Sequence, residues 1–178
     1  ACALGREQKI GYNNNGVPAS VEQPDGIAFD LSYNHLLEIS TVTSQRGTLT
    51  YGRDAMGRVE SITHDELGAT FYDYDLRDRL KAVQYPGLPK VEITYTPTGL
   101  PKSLKSAAGE TLYDYDPAGR LIGLKAPTGE NFSYEYSPEG NLTKVQDAFG
   151  STSLQYDPVG NVERVELPDQ SVLSATYN

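Results

Sequence analysis

The 178-residue sequence is poor in the residues that build several common functional sites. It has one cysteine, Cys2, and two histidines. A lone cysteine excludes an internal disulfide and a zinc site made of several thiolates. The sequence also lacks a run of about 18 apolar residues, so it predicts no transmembrane segment. Only 15 Lys and Arg stand against 24 Asp and Glu, and the net charge of −9 argues against a nucleic-acid partner.

Tyrosine is abundant although tryptophan is absent: there are 13 Tyr and no Trp. Nine of these tyrosines recur at intervals of 18 to 23 residues, and we call them the anchor tyrosines. A fixed period of this length is the signature of a repeat protein. The anchor tyrosines are Tyr12, Tyr33, Tyr51, Tyr74, Tyr95, Tyr115, Tyr136, Tyr156 and Tyr177.

The residues before each anchor alternate in polarity. The position two residues before the anchor is apolar or aromatic, as at Leu31, Tyr113 and Leu154, whereas the position directly before it carries no large apolar side chain. A period of two predicts a β-strand, because successive side chains of a strand point to opposite faces of a sheet.

A turn follows each anchor. Three copies read Y-D-P-A-G-R-L, Y-S-P-E-G-N-L and Y-D-P-V-G-N-V, starting at Tyr115, Tyr136 and Tyr156. Asp or Ser first, Pro second and Gly fourth is the preference of a type I turn that closes with a left-handed residue. The predicted turn glycines are Gly16, Gly57, Gly99, Gly119, Gly140 and Gly160.

The strand after this turn has apolar residues two and five positions past the glycine, as at Leu121 and Leu124. A spacing of three breaks strict alternation and predicts a β-bulge or a sharp local twist. A second turn then follows, usually with a glycine. These second-turn glycines are Gly26, Gly47, Gly68, Gly87, Gly109, Gly129 and Gly150.

Several copies are irregular, among them the copy at Tyr95, where Pro101 replaces the first apolar residue and should weaken strand pairing. The copy at Tyr51 has two extra residues before Gly57, which explains most of its long interval. Asp78 and Leu37 stand where other copies have the first-turn glycine. Asp tolerates a left-handed conformation, whereas Leu37 predicts a turn that is either different or strained.

The Y-D-P-x-G-R-L motif at this spacing resembles the Rhs/YD-repeat family. The resemblance implies an all-β fold of tandem antiparallel β-hairpin repeats that form a curved or spiralling sheet, part of a hollow shell. Residues 1–11 are then the end of a preceding repeat, 12–176 are eight repeats of about 21 residues, and 177–178 begin a ninth. The chain is accordingly expected to be a fragment of a larger protein.

The same resemblance implies a function. In polymorphic toxins and insecticidal toxin complexes such shells enclose a toxic domain, so the chain is expected to be a non-catalytic piece of a shell that encapsulates and helps deliver a toxin or effector. Its partners are then the rest of the shell and the enclosed domain. The alternative is an adhesion module, as in teneurins, that binds a glycan or a surface protein. Either role implies a secreted or cell-surface location.

The anchor tyrosines suit a wall with water on one side. A tyrosine ring covers apolar area while its hydroxyl stays hydrated, so a ladder of such residues needs no dry core. We therefore expect the anchor hydroxyls to face solvent.

Two pairs of carboxylates are the best candidates for chemistry. Asp73 with Asp75, and Asp114 with Asp116, lie on one strand face and could bind Ca²⁺ or act as an acid and a base. The simpler interpretation, which we favour, is that the second Asp of each pair caps the turn.

Toxin-carrying members of the family cut themselves with aspartates in two D-P-x-G motifs about 18 residues apart. Here Ser137 stands in the second motif after Asp116, and no second D-P-x-G motif follows Asp157 within the 178 residues. His35 and His64 occupy unlike places in the repeat, with no Ser or Cys at a matching spacing, and are expected to be surface or turn residues. The sequence thus predicts no catalytic, cofactor-binding or metal site.

Overall fold

A computed structural model describes residues 7–177 of the chain, and Cys2 lies outside this range. None of the described residues forms a helix long and apolar enough to cross a membrane. The described part of the chain consists of 17 β-strands joined by turns. The strands are β1 (Lys9–Tyr12), β2 (Pro18–Glu22), β3 (Ala28–Tyr33), β4 (Ile39–Ser44), β5 (Gly47–Arg53), β6 (Val59–His64), β7 (Gly68–Tyr74), β8 (Leu80–Gln84), β9 (Val91–Tyr95), β10 (Pro101–Ser106), β11 (Gly109–Tyr115), β12 (Leu121–Lys125), β13 (Asn131–Tyr136), β14 (Leu142–Asp147), β15 (Gly150–Tyr156), β16 (Val162–Glu166) and β17 (Val172–Ser174).

The strands pair antiparallel and in sequence order. The chain divides into two units, one ending at Lys90 and the other beginning at Val91. In the first unit β1 to β8 pair successively, and in the second β9 to β17 do the same. The all-β fold of tandem antiparallel hairpins predicted from the sequence is confirmed.

Within each unit the sheet has one half-covered face and one exposed, mainly polar face, on which Phe71 and Leu112 are apolar exceptions. Exposure alternates along β3 and β11 as the period of two predicts. On the covered face, side chains pair across strands, as in Tyr72 with Val83 and Tyr134 with Val145. Such pairs contribute roughly 0.2–1 kcal/mol each. No described side chain is fully buried, so each unit is stabilised by lateral contacts along the sheet more than by a deep core.

Each first-turn hairpin contains the predicted bulge. In the β11–β12 hairpin Asp114 pairs with Gly123 but Tyr115 pairs with Leu121, which leaves Ile122 as the extra residue. The register shifts at the equivalent place in the hairpins β1–β2, β3–β4, β5–β6, β7–β8, β9–β10, β13–β14 and β15–β16. The bulge lies directly beside the anchor position and therefore fixes how the strand enters the turn.

The first turns share one backbone geometry. At Asp116 the amide donates to Arg120 O over 3.0 Å, and the Gly119 amide donates to Asp116 O over 2.9 Å. The six predicted first-turn glycines have φ between 75° and 97°. Leu37 and Asp78 adopt the same conformation, with φ of 61° and 60°. The turn at Leu37 is thus an ordinary first turn that holds a strained residue, not a different turn.

The second turns are of two kinds, tight loops and longer loops that contain proline, and in parts of the chain the two kinds alternate. Gly109 lies in a tight loop, and a Cβ atom there would stand 2.8 Å from Cβ of Pro127 in the next second turn. Gly150 and Pro168 repeat the arrangement at 2.7 Å. Glycine is required at these two places because the neighbouring turn packs directly on its backbone.

The register of β5 and β6 corrects the assignment of one anchor. Arg53 pairs with Val59 beside the bulge, as Tyr115 pairs with Leu121, so Arg53 and not Tyr51 occupies the anchor position. Tyr51 lies two residues earlier, paired with Ile62, where other copies have Tyr113 or Tyr134. The copy therefore has no insertion before Gly57. The intervals on either side of Arg53 are 20 and 21 residues.

Replacing Leu37 with glycine is expected to stabilise the protein by about 1 kcal/mol, because a left-handed leucine costs roughly 1–2 kcal/mol. Little burial is lost, since Leu37 is 48% exposed. Urea denaturation of Leu37→Gly measures the change. Leu36→Gly is the control, because Leu36 is also exposed but has no positive φ, and it should be neutral or destabilising. A Leu37→Gly variant less stable than the parent would contradict the strain.

Candidate functional site

The residues of the repeated motif meet at the first turns, where each turn is closed by its own first side chain. Asp116 Oδ1 accepts hydrogen bonds from the amides of Ala118 and Arg120, both over 2.9 Å. The same two-amide cap is made by Asn13, Asn34, Asp54, Asp75 and Asp157. This placement agrees with the turn-capping interpretation of Asp75 and Asp116.

The arginine of the motif connects one repeat to the next. Arg120 Nε donates to Asp116 Oδ2 over 2.6 Å, and its guanidinium lies 4.8 Å above the ring centre of Tyr136 in the following hairpin. Arg58 repeats the arrangement, bonded to Asp54 over 2.7 Å and stacked 4.6 Å above Tyr74. The cation–π contact adds to the salt bridge, so the two repeats are held together at the turn edge.

The anchor hydroxyls make a second connection between repeats. Tyr136 Oη donates to Leu121 O over 2.9 Å, which is the carbonyl directly after the stacking arginine. Tyr33, Tyr74, Tyr156 and Tyr177 donate to the equivalent carbonyls over 2.6 to 3.1 Å. The expectation that the anchor hydroxyls stay hydrated is therefore wrong for these five. In each case the bulge exposes a carbonyl that the hydroxyl satisfies.

Arg53 makes the same connection with a different side chain. Its Nη2 donates to Ile39 O over 3.4 Å, the carbonyl that a tyrosine hydroxyl would reach. Its Nε lies 3.3 Å from Glu38 Oε2, and Glu38 occupies the position that holds arginine in other copies. Glu38 in turn accepts from Asn34 Nδ2 over 2.9 Å. Asn34, Glu38 and Arg53 thus take the places of Asp, Arg and Tyr in other copies. The positive charge therefore lies at the anchor position, and the negative charge lies at the position that arginine usually holds.

We call the Asp, Arg and Tyr contacts together the turn interlock. It lowers the pKa of its carboxyls. The pKa of Asp75 falls to about 2, chiefly through the hydrogen bond from the Arg79 side chain. Arg58 lowers the pKa of Asp54 in the same way, and the backbone amide of Arg120 is the main cause for Asp116. Burial raises the pKa of the Tyr115 hydroxyl.

The other candidate residues are engaged in local contacts. Asp73 pairs with Lys90 at 2.7 Å. His64 lies at the end of β6, where Nε2 contacts Arg46 O at 3.0 Å and Nδ1 accepts the Glu66 amide at 3.1 Å, and His35 lies in the first turn that Asn34 caps. No group of three or more His, Cys, Asp or Glu within residues 7–177 is placed to hold a metal ion.

These features define a class: antiparallel hairpin repeats that are joined edge to edge by an interlock of turn residues. No family model matches the chain, and no curated protein matches it significantly by sequence. Solved structures do match it.

The chain is similar to part of a Tc holotoxin pore from Photorhabdus luminescens, in which one aspartate of TccC3 is replaced by alanine. The identity is 16%, the TM-score is 0.68, and the match covers 90% of this chain and 12% of that one. A TcdB2–TccC3 structure with a TEV designation matches at 14% identity and a TM-score of 0.57, over 89% of this chain and 13% of that one. Another TcdB2–TccC3 structure matches at 18% identity and a TM-score of 0.56, over 86% and 9%.

The chain thus has the fold of a segment of these toxin structures and spans about a tenth of their length. The resemblance to the Rhs/YD-repeat family is confirmed at the level of the fold.

Removing one anchor hydroxyl is expected to cost about 1 kcal/mol, the usual contribution of a partly buried hydrogen bond. Tyr156→Phe loses the 2.7 Å bond to Leu142 O and should lower the free energy of unfolding by that amount. Tyr115→Phe is the matched control, because within the described residues its half-buried hydroxyl has no such bond, and it should be neutral or stabilising. Equal losses in both variants would show that the hydroxyl bond is not what matters.

The lowered pKa of Asp75 makes stability depend on acid pH. A carboxyl whose pKa is lowered by folding stabilises the fold at every pH above its pKa in the unfolded chain. For Asp75 this contribution is lost as the pH falls from about 4 toward 2. Urea denaturation between pH 6 and 2 should therefore show falling stability in this window. Asp75→Asn keeps the amide acceptor, as Asn34 does, and should flatten the pH dependence.

The control for this experiment is Asp25→Asn. The Asp25 carboxylate accepts the Ile27 amide and has no arginine among its described partners. The Asp25→Asn variant should therefore show nearly the same change in the free energy of unfolding between pH 4 and 2 as the parent. An Asp75→Asn slope as steep as the parent's would contradict the role of the Asp75–Arg79 pair.

Proposed function

We propose that this chain is a non-catalytic piece of a protein shell that encloses a toxin or effector domain and helps deliver it. The observation that carries the proposal is the combination of a Tc-toxin-like fold with a single-layer sheet in each unit. A layer without fully buried side chains is poorly suited to be a free-standing globule, but it is well suited to be a wall.

The turn interlock supports a structural role. A wall must not part between neighbouring hairpins when it holds a cargo. Within each unit, neighbouring first turns are joined at several places by a guanidinium on a ring, by a hydroxyl on a carbonyl, or by both. These contacts lie along the turn edge, where backbone pairing ends and the hairpins would otherwise splay.

The same contacts argue for a chain without catalysis. A catalytic aspartate must be free to exchange a proton or attack a substrate. Asp116 and Asp157 each accept two backbone amides and a side-chain donor, and both have a lowered pKa. We infer that these D-P-x-G motifs serve as turns and that this chain binds no cofactor.

The partners that follow from this proposal are the rest of the same shell and the enclosed domain, in a protein that is secreted or displayed at the cell surface. An adhesion module that binds a glycan or a protein is the alternative function. Glycan binding by stacking on tyrosine needs outward rings that are free, but five anchor hydroxyls are used between repeats and two anchor rings are covered by arginine. We therefore favour the shell.

The product of the complete reading frame that contains this sequence provides the test. Limited proteolysis should cut the enclosed domain much more slowly within the intact protein than when that domain is produced alone. Arg120→Ala should speed cleavage, because it removes one interlock, whereas Lys125→Ala on exposed β12 surface should not. Equal cleavage of the domain inside and outside the intact protein would refute encapsulation.

A further inference from the structure

A groove of about 620 Å³ opens between two neighbouring first turns of the second unit. We call it the Tyr156 groove. It is open to solvent, and its walls come from the turn at 137–140 and the turn at 157–160. The lining residues that matter here are Ser137, Glu139, Asn141, Tyr156 and Asp157.

The chain itself shows what such a groove holds. At the equivalent place one repeat earlier, Arg120 stacks on Tyr136 and donates through Nη1 to Ser137 O over 3.2 Å. In the first unit Arg58 stacks on Tyr74 in a groove of about 390 Å³ that it helps to line. In the Tyr156 groove the arginine position is occupied by Asn141, whose side chain is much shorter. The groove therefore keeps the space of a missing arginine.

The chemical groups that receive an arginine are retained. Tyr156 presents its ring at the anchor position, with its hydroxyl bonded to Leu142 O over 2.7 Å. Ser137 replaces the carboxylate of the usual Asp, but Glu139 of the same turn lines the groove and supplies a carboxylate. Hydrogen bonding with the Ser137 side chain lowers the pKa of Glu139. A negative charge thus lies beside the same turn. No Lys or Arg is among the described residues that line the groove.

A second open groove differs on this point. The groove at Tyr115 has about 590 Å³ and Leu100 at the arginine position, and Lys102 joins Asp114 and Asp116 in its lining. Lys102 offsets part of the negative charge of this groove, and Asp116 is already bonded to Arg120. The Tyr156 groove is the better receptor for a positive group.

We propose that the Tyr156 groove binds the arginine side chain of a partner polypeptide. The guanidinium stacks on the Tyr156 ring, pairs with the Glu139 carboxylate and takes the place that Arg120 takes on Tyr136. Arginine fits better than lysine because its planar guanidinium both stacks on a ring and forks toward a carboxylate. The chain's net charge of −9 favours a basic partner. The proposal does not depend on the shell function.

The test uses the 178-residue chain and N-acetyl-arginine amide as the probe, followed by NMR. Saturable shifts are expected in residues 137–143 and 154–160, with weaker binding of N-acetyl-lysine amide. Residues 116–122 are an internal control, because Arg120 already stacks on Tyr136 at that place one repeat earlier. Shifts of equal size in residues 116–122, or no saturable shift at the Tyr156 groove, would overturn the proposal.

Two variants make the result specific. Ser137→Asp with Asn141→Arg rebuilds the chain's own D-x-x-G-R motif, so its arginine should fill the groove and weaken probe binding by about tenfold. Glu139→Gln removes only a charge from an exposed side chain and should weaken binding by about fivefold. If the double variant does not fold, Glu139→Gln alone tests the assigned groove. Unchanged affinity in both variants would rule out the assigned groove.

Discussion

The contact on which the rest of this structure depends is the bond from an anchor side chain to a backbone carbonyl of the preceding hairpin. A single-layer sheet has little buried volume, and within the described residues only Ala82 and Val83 are buried apolar side chains. Besides the backbone pairing of adjacent strands, neighbouring hairpins must then be held by side-chain contacts at the sheet surface and at its turn edge. A bulge lies beside each anchor, and in several copies the anchor hydroxyl or guanidinium satisfies a backbone carbonyl next to it.

The motif gains a physical meaning from these contacts. Asp closes its own turn, Arg binds that Asp and covers the next tyrosine ring, and the tyrosine hydroxyl reaches back past the arginine. Y, D and R therefore recur together because the arginine contacts both the Asp of its own turn and the tyrosine ring of the next hairpin. Glycine is required for a separate reason, namely the left-handed backbone that closes the turn.

Sequence reasoning predicted the strands, their order and the bulge, since these follow from local patterns: polarity of period two, D-P-x-G, and apolar spacing of three. It did not predict the hydroxyl bonds or the role of Arg53. Both involve partners 14 or 15 residues away, whose distance is set by strand pairing and not by the local pattern. Arg53 was hidden because a tyrosine happens to lie two residues before it. The division after Lys90 was also missed, although Pro86 and Pro89 just before it cannot donate to a ladder.

The exchanged pair Glu38 and Arg53 has a consequence for how such a chain can change over generations. Tandem copies of similar length invite loss or duplication of one unit when genes recombine. If the β3–β4 hairpin were joined directly to the β7–β8 hairpin, the Glu38 carboxylate would lie on the ring of Tyr74. The face of an aromatic ring is negative and would repel it. Hairpins on either side of this boundary are therefore not interchangeable, and the boundary protects the order of the copies around it.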